Sequence, residues 1–241
     1  MINALEARLE LLSESAQREL LNISRGIEKE GLRVDSSHFI SQTNHPEVLG
    51  HTLTHSQITT DYSEALMELI TPVSQSVDDL MKDLSDVHGF VQSHLGEEVL
   101  WSGSMPCKID GNDSIRIAEF GDSNLGKLKH VYRKGLDARY GRIMQSIAGL
   151  HYNFSLPDTF WKEWQVVKGD EQPLKDFKSE QYFSLIRNFR RHSWLLMYLF
   201  GASPAADQSF LAGMRHPLQP FDEKGTWYLP YATSLRMGDL G

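Results

Sequence analysis

The segment Arg25-Gly26-Ile27-Glu28-Lys29-Glu30-Gly31-Leu32-Arg33-Val34 restricts this chain more than any other. Side chains alternate between the two faces of a strand, so a strand here places Glu28 and Glu30 on one face. Acidic residues are poor strand formers. Two like charges side by side repel unless water screens them or a cation sits between them. Two readings follow: a solvated edge strand, or one wall of a divalent-metal site.

The remaining pattern interleaves helices and strands. Leu5, Leu9 and Leu12 are at helical spacing in residues 2–20. A short strand is expected near Phe39–Ser41, and His45-Pro46 to Gly50 is turn-like. Residues 76–95 predict a helix with Ser76 as N-cap and a stripe of Val77, Leu80, Met81, Leu84, Val87 and Val91. Residues 97–123 are rich in Gly, Pro, Asp and Asn and predict a lid or a long surface excursion. A basic helix follows over 124–139, although Gly126 and Gly135 weaken its pattern. Residues 142–156 predict a strand, with Ala148, Leu150, Tyr152 and Phe154 on a core face and His151, Asn153 and Ser155 on a polar face. A long helix is expected from Ser179 to Phe200, then a loop and strand over Trp227–Arg236. With no regular βαβ alternation, the expected class is α+β with a largely antiparallel sheet.

Composition narrows the function classes. In 241 residues with 40% hydrophobic content there is no apolar run long enough to span a membrane, and no basic-then-apolar leader. The single Cys107 fits a reducing, cytoplasmic setting. A net charge of −8 without a Lys/Arg cluster argues against a nucleic-acid partner. Phosphate-loop, Rossmann and zinc-helix motifs are all missing.

A second acidic group, Asp61, Glu64 and Glu68, shares one face if the segment is helical. Thr59-Thr60 before it and Thr71-Pro72 after it favour a strand instead, with Glu68 between Leu66 and Ile70 on a buried face. A carboxylate there is costly unless paired or metal-bound; the competing reading is a solvated acidic helix face. His151, with Asn153 beside it and Gln145 further along, is a hydrogen-bonded polar face or a metal or substrate contact. Carboxylates on separate strands around one cavity suit Mg²⁺, which prefers oxygen ligands and is completed by substrate phosphates. Arg133 and Arg236 are then candidates to hold carboxylates or phosphates, against a reading as surface charge.

Several blocks in order carry a more specific signal. Besides Arg25–Val34 they are Leu53-Thr54-His55, Ile58-Thr59-Thr60-Asp61, Glu64 to Pro72, Tyr140-Gly141, Gly149 to Pro157, Tyr198 to Pro204 and Leu229 to Arg236. Together they resemble bacterial glutamate–cysteine ligase, also called γ-glutamylcysteine synthetase, over the whole chain. The resemblance implies a glutamine synthetase-like fold: a curved, mainly antiparallel sheet with flanking helices and the site inside the trough. It implies ATP-dependent joining of L-cysteine to the γ-carboxylate of L-glutamate, with Mg²⁺ or Mn²⁺. Carried over by position, Glu28, Glu30, Asp61, Glu68 and His151 resemble metal ligands. Tyr132 and Arg133 resemble residues that receive cysteine, Gln145 and Asn153 further substrate contacts, and Arg236 a catalytic arginine. Members of the family are longer, and the chain stops at a turn-like Gly238-Asp239-Leu240-Gly241. Residues 1–241 are therefore expected to be the N-terminal part of one catalytic domain. A related ligase with another amine acceptor, or a fragment that only binds nucleotide and metal, are the alternatives.

Overall fold

The computed structural model describes residues 6–7, 9–201 and 203–235. Its centre is β1 (Ser24–Val34), an eleven-residue strand that uses both edges. Along one edge β3 (Leu66–Ile70) pairs antiparallel, and β2 (Ile58–Thr60) pairs with β3. The other edge is shared end to end. β5 (Leu150–Ser155) takes residues 24–29, and β4 (Val99–Leu100) takes Arg33 and Val34. The expected acidic strand and the strand over Glu68 are both present.

The alternation of β1 separates two cores. Leu32 and Val34 lie in a front cluster with Leu66, Tyr62, Met105, Ile115 and others. On the rear, Met67 and Leu69 of β3 meet Val87 and Val91 of α2 (Val77–Ser93). Ser76 caps α2 by accepting the Asp79 amide. The stripe is narrower than expected, because Val77 and Met81 are exposed while Leu80, Val87 and Val91 are buried. The predicted helix over 2–20 lies partly outside the described residues; within them the chain turns near Leu11 and restarts at Ser13, which caps α1 (Glu14–Glu19). α1 packs with α4 (Asp158–Lys168) and the start of α5 (Leu174–Phe200) in a third cluster around Trp161 and Phe177. A small sheet of β6 (Ala205–Asp207), β8 (Thr226–Tyr228) and β7 (Gln219–Pro220) completes the described fold. Among the described residues no helix is long and apolar enough to cross a membrane.

Three expectations are corrected. Residues 97–123 are no lid: Met105, Cys107, Ile109, Ile115, Ala118 and Phe120 are buried. The segment reads as loop because its backbone bonds go to several neighbours, Trp101 N–H to Leu32 and Ala118 N–H to Tyr62 among them, and not to one ladder. The strand predicted over 142–156 begins only at Leu150; Ile143–Ser146 form a 3₁₀ turn, which is why Ile143 and Ile147 break the alternation. The supposed core face of that strand is open, with Leu150, Tyr152 and Phe154 67%, 54% and 45% exposed; among the described residues α2 packs chiefly over β1 and β3.

Candidate active site

Register brings the acids together. Glu30 is directly opposite Glu68 on β3, and Glu28 is opposite His151 on β5. All point to the front face, where the apolar layer of Leu32 and Leu66 gives way to charge. His151 Nδ1 is 3.2 Å from a Glu28 oxygen and its Nε2 is 3.9 Å from Glu30. Asn153 donates to the other Glu28 oxygen at 3.1 Å. The Gly149 N–H donates to Glu30 at 2.6 Å. A side chain at position 149 has no room: a Cβ there would be 2.9 Å from His151 Nε2 and 3.3 Å from both Glu30 oxygens.

Like charges opposite one another across strands are destabilising. Here the strain falls on Glu68. Burial, then Asp61, Glu28 and Glu30, push its pKa up from 4.5 to about 7. As the folded pKa is the higher one, Glu68 contributes stability that is complete below pH 4.5 and is lost as pH rises through 7. Glu68→Gln should therefore flatten the pH dependence of thermal stability between pH 5 and 8. Parallel melting profiles for the two metal-free proteins would rule the raised pKa out.

The donor set fits a hard divalent cation: several carboxylates and one imidazole, with too much negative charge for the cations around it. As placed, no group of three or more His, Cys, Asp or Glu among the described residues is arranged to hold a metal ion. His151 instead lies between the two acids, with Nδ1 at hydrogen-bond distance from Glu28 and Nε2 3.9 Å from Glu30.

Asp61 follows β2, its N–H bonded to Leu66. Its carbonyl accepts the Arg133 Nε–H at 2.5 Å. Arg133 projects from α3 (Asn124–Tyr140), which Ser123 caps by accepting the Gly126 amide. A second guanidinium N–H, on Nη1, goes to the Lys129 carbonyl at 3.0 Å. The guanidinium is part-buried, and burial lowers its pKa against the pull of Asp61 and Glu68. Gly126, a weak point of the sequence pattern, has a reason: α3 packs so closely that a Cβ there would be 2.4 Å from the Phe120 carbonyl oxygen.

Among the residues singled out, Glu28, Glu30, Glu68, His151 and Asn153 share the front face, and Arg133 reaches Asp61 at its rim. Tyr132 is exposed on α3. Gln145 lies in the 3₁₀ turn before β5 and not on the strand itself. Arg236 lies outside the described residues. Glu64 parts company with Asp61 and Glu68: it is buried, accepting the His45 N–H at 2.9 Å and the Glu119 N–H at 3.0 Å. Sequence reasoning gave no role to Phe120, an aromatic in a segment read as loop, and named Gly149 only as the start of a matching block.

The fold and site define an α+β protein of the glutamine synthetase-like kind, an antiparallel sheet with helices behind it and an acid-lined face in front. The glutamate-cysteine ligase family profile matches residues 9–241. The chain belongs to that family. It is 63% identical over 242 residues to the glutamate–cysteine ligase of Hahella chejuensis, covering 100% of this chain and 46% of that protein. It is 56% identical to that of Saccharophagus degradans, covering 92% and 42%. The crystal structure of the Francisella tularensis glutamate–cysteine ligase in complex with AMP superposes with a TM-score of 0.83 at 41% identity, over 91% of this chain and 43% of that one. A bifunctional glutathione synthetase from Pasteurella multocida gives 0.71 at 35% identity, over 79% and 25%. The chain thus spans about half the length, or less, of the relatives it matches.

Proposed function

We propose that this chain carries the acidic half of an ATP-dependent ligase site that joins L-cysteine to the γ-carboxylate of L-glutamate, in the cytoplasm, as the first step of glutathione synthesis. The observation that carries the reading is the front-face cluster of Glu28, Glu30, Glu68 and His151, in a chain of this family. Glu28, Glu30, Asp61, Glu68 and His151 would hold Mg²⁺, with Mn²⁺ as a substitute. When bound, the cations neutralise the crowded phosphate and carboxylate oxygens. The Francisella relative was solved in complex with AMP, which supports nucleotide binding by this family member.

A carboxylate is a poor acyl donor. Attack of the glutamate γ-carboxylate on the ATP γ-phosphorus breaks the bond to ADP and gives a γ-glutamyl phosphate. The cysteine amine then attacks the acyl carbon, and phosphate leaves. Asn153 and His151 fix the Glu28 carboxylate, and the Gly149 N–H fixes Glu30. Such preorganisation is the main electrostatic contribution open to the protein. Arg133 takes the cysteine carboxylate on the N–H groups that Asp61 and Lys129 do not use, with Tyr132 beside it. Gln145 and Arg236 are assigned to substrate on resemblance.

The test uses the family-length protein that contains this sequence. ADP release should require glutamate and cysteine together, and an acceptor screen should show cysteine or 2-aminobutyrate preferred. Refusal of both while another amine works would transfer the reading to a different carboxylate–amine ligase. The alternative, a fragment that only binds nucleotide and metal, is tested by titrating the 241 residues alone with Mg-nucleotide and assaying turnover; turnover by them alone would exclude it.

A further inference from the structure

The Arg133 guanidinium does not lie on the site by its hydrogen bonds alone. Its carbon is 4.6 Å from the centroid of the Phe120 ring. Lys129 places its ammonium 4.8 Å from the same centroid. Like charges four residues apart on a helix repel by a few tenths of a kcal/mol or so, and the electron-rich face of an aromatic ring offsets that repulsion. Phe120 is itself 1% exposed and cannot swing away.

The ring is held from three directions. The buried Glu64 carboxylate accepts the N–H of Glu119, the residue before it, and ties that segment to His45. The Ala118 N–H bonds to the Tyr62 carbonyl, next to Asp61. The Phe120 and Gly121 carbonyls abut Gly126 of α3, where only hydrogen fits. Ring, helix and Asp61 loop therefore form one rigid unit with the guanidinium clamped between them.

We propose that Phe120 is a positioning residue for Arg133. It fixes the guanidinium plane so that the remaining N–H groups meet the acceptor's carboxylate, and it thereby sets the preference for an α-amino acid over its decarboxylated analogue. The inference rests on the reading that Arg133 binds that carboxylate. Two of its donors are spent on carbonyls at 2.5 and 3.0 Å, so a bidentate grip depends on the orientation of the rest.

The readout is the ratio of kcat/KM for cysteine to that for cysteamine, which lacks the carboxylate, in the family-length protein. Phe120→Leu should lower the ratio about tenfold, the size expected for a desolvated cation–ring contact, chiefly through the KM for cysteine. Phe120→Tyr, which keeps the ring, should retain it. Should Phe120→Leu fail to fold, graded fluorination of the phenylalanine at 120 keeps the shape and weakens the ring face, and the ratio should fall stepwise with each fluorine. Arg133→Ala separates the two levels. If it leaves the ratio unchanged, the carboxylate reading of Arg133 is wrong. If it collapses the ratio while fluorination at 120 has no effect, that reading stands and the role given to Phe120 is overturned.

Discussion

Glu28→Ala should reduce glutamate- and cysteine-dependent ADP formation by about 10³-fold in the family-length protein, some 4 kcal/mol of lost transition-state stabilisation. The size follows from what the carboxylate touches. One oxygen is 3.2 Å from His151 and the other accepts from Asn153 at 3.1 Å, so its removal takes away a proposed cation ligand and frees two neighbours from their orientation. Stability should hardly change, because the side chain is a third exposed and its removal from beside Glu30 and Glu68 relieves repulsion. Measured together, turnover and melting temperature decide the matter. Wild-type turnover would refute the proposed metal role, and an unfolded variant would show that Glu28 is structural.

Gly126→Ala makes the opposite kind of change, to stability first. On an exposed helix surface alanine would be favoured over glycine by up to about 1 kcal/mol. Here the new methyl would meet the Phe120 carbonyl oxygen at 2.4 Å and that of Gly121 at 2.6 Å. Backbone atoms cannot rotate aside as a side chain would, so α3 must lift. Overpacking of this kind costs about 1–3 kcal/mol. Lifting α3 also draws Arg133 from the Asp61 carbonyl, so the KM for cysteine should rise with the fall in melting temperature. Gly135→Ala is the control. A Cβ there meets nothing within 4 Å, and the change should be neutral or stabilising. If the two alanine variants melt alike, the close approach of α3 to the Phe120–Gly121 backbone is not real.

These two positions also show what local pattern can and cannot carry. The strand over Glu28 and Glu30 was legible because period-two alternation puts both acids on one face. The strand over Glu68 was legible from its threonine flanks and Pro72. The family blocks marked His151, Asn153 and Arg133 by position. Yet Gly126 counted against a helix that is present, because a glycine required by a neighbouring backbone looks the same in sequence as one that breaks a helix. Glu64 shared a face with Asp61 and Glu68 only under the helical reading; the strand parts them, and Glu64 is a buried anchor for two backbone amides.

The errors at residues 97–123 and 142–156 have one cause. Both segments satisfy their backbone groups with partners scattered along the chain, Ser104 with Ala148 and Trp101 with Leu32 among them. No local periodicity records such bonds. The open apolar row of Leu150, Tyr152 and Phe154 is the converse case: alternation correctly put those residues on one face but could not say whether anything covers it.

From residues alone came the α+β class, the carboxylate-bearing face of β1, and the family. Those rest on alternation and ordered motifs, which are written one residue after the next. That Glu30 faces Glu68, that Glu28 faces His151, and that Phe120 lies under Arg133 arose from strand register and helix docking. These depend on which distant segments share an edge or a core, so the chain had to be folded before the acidic strand became one wall of a site.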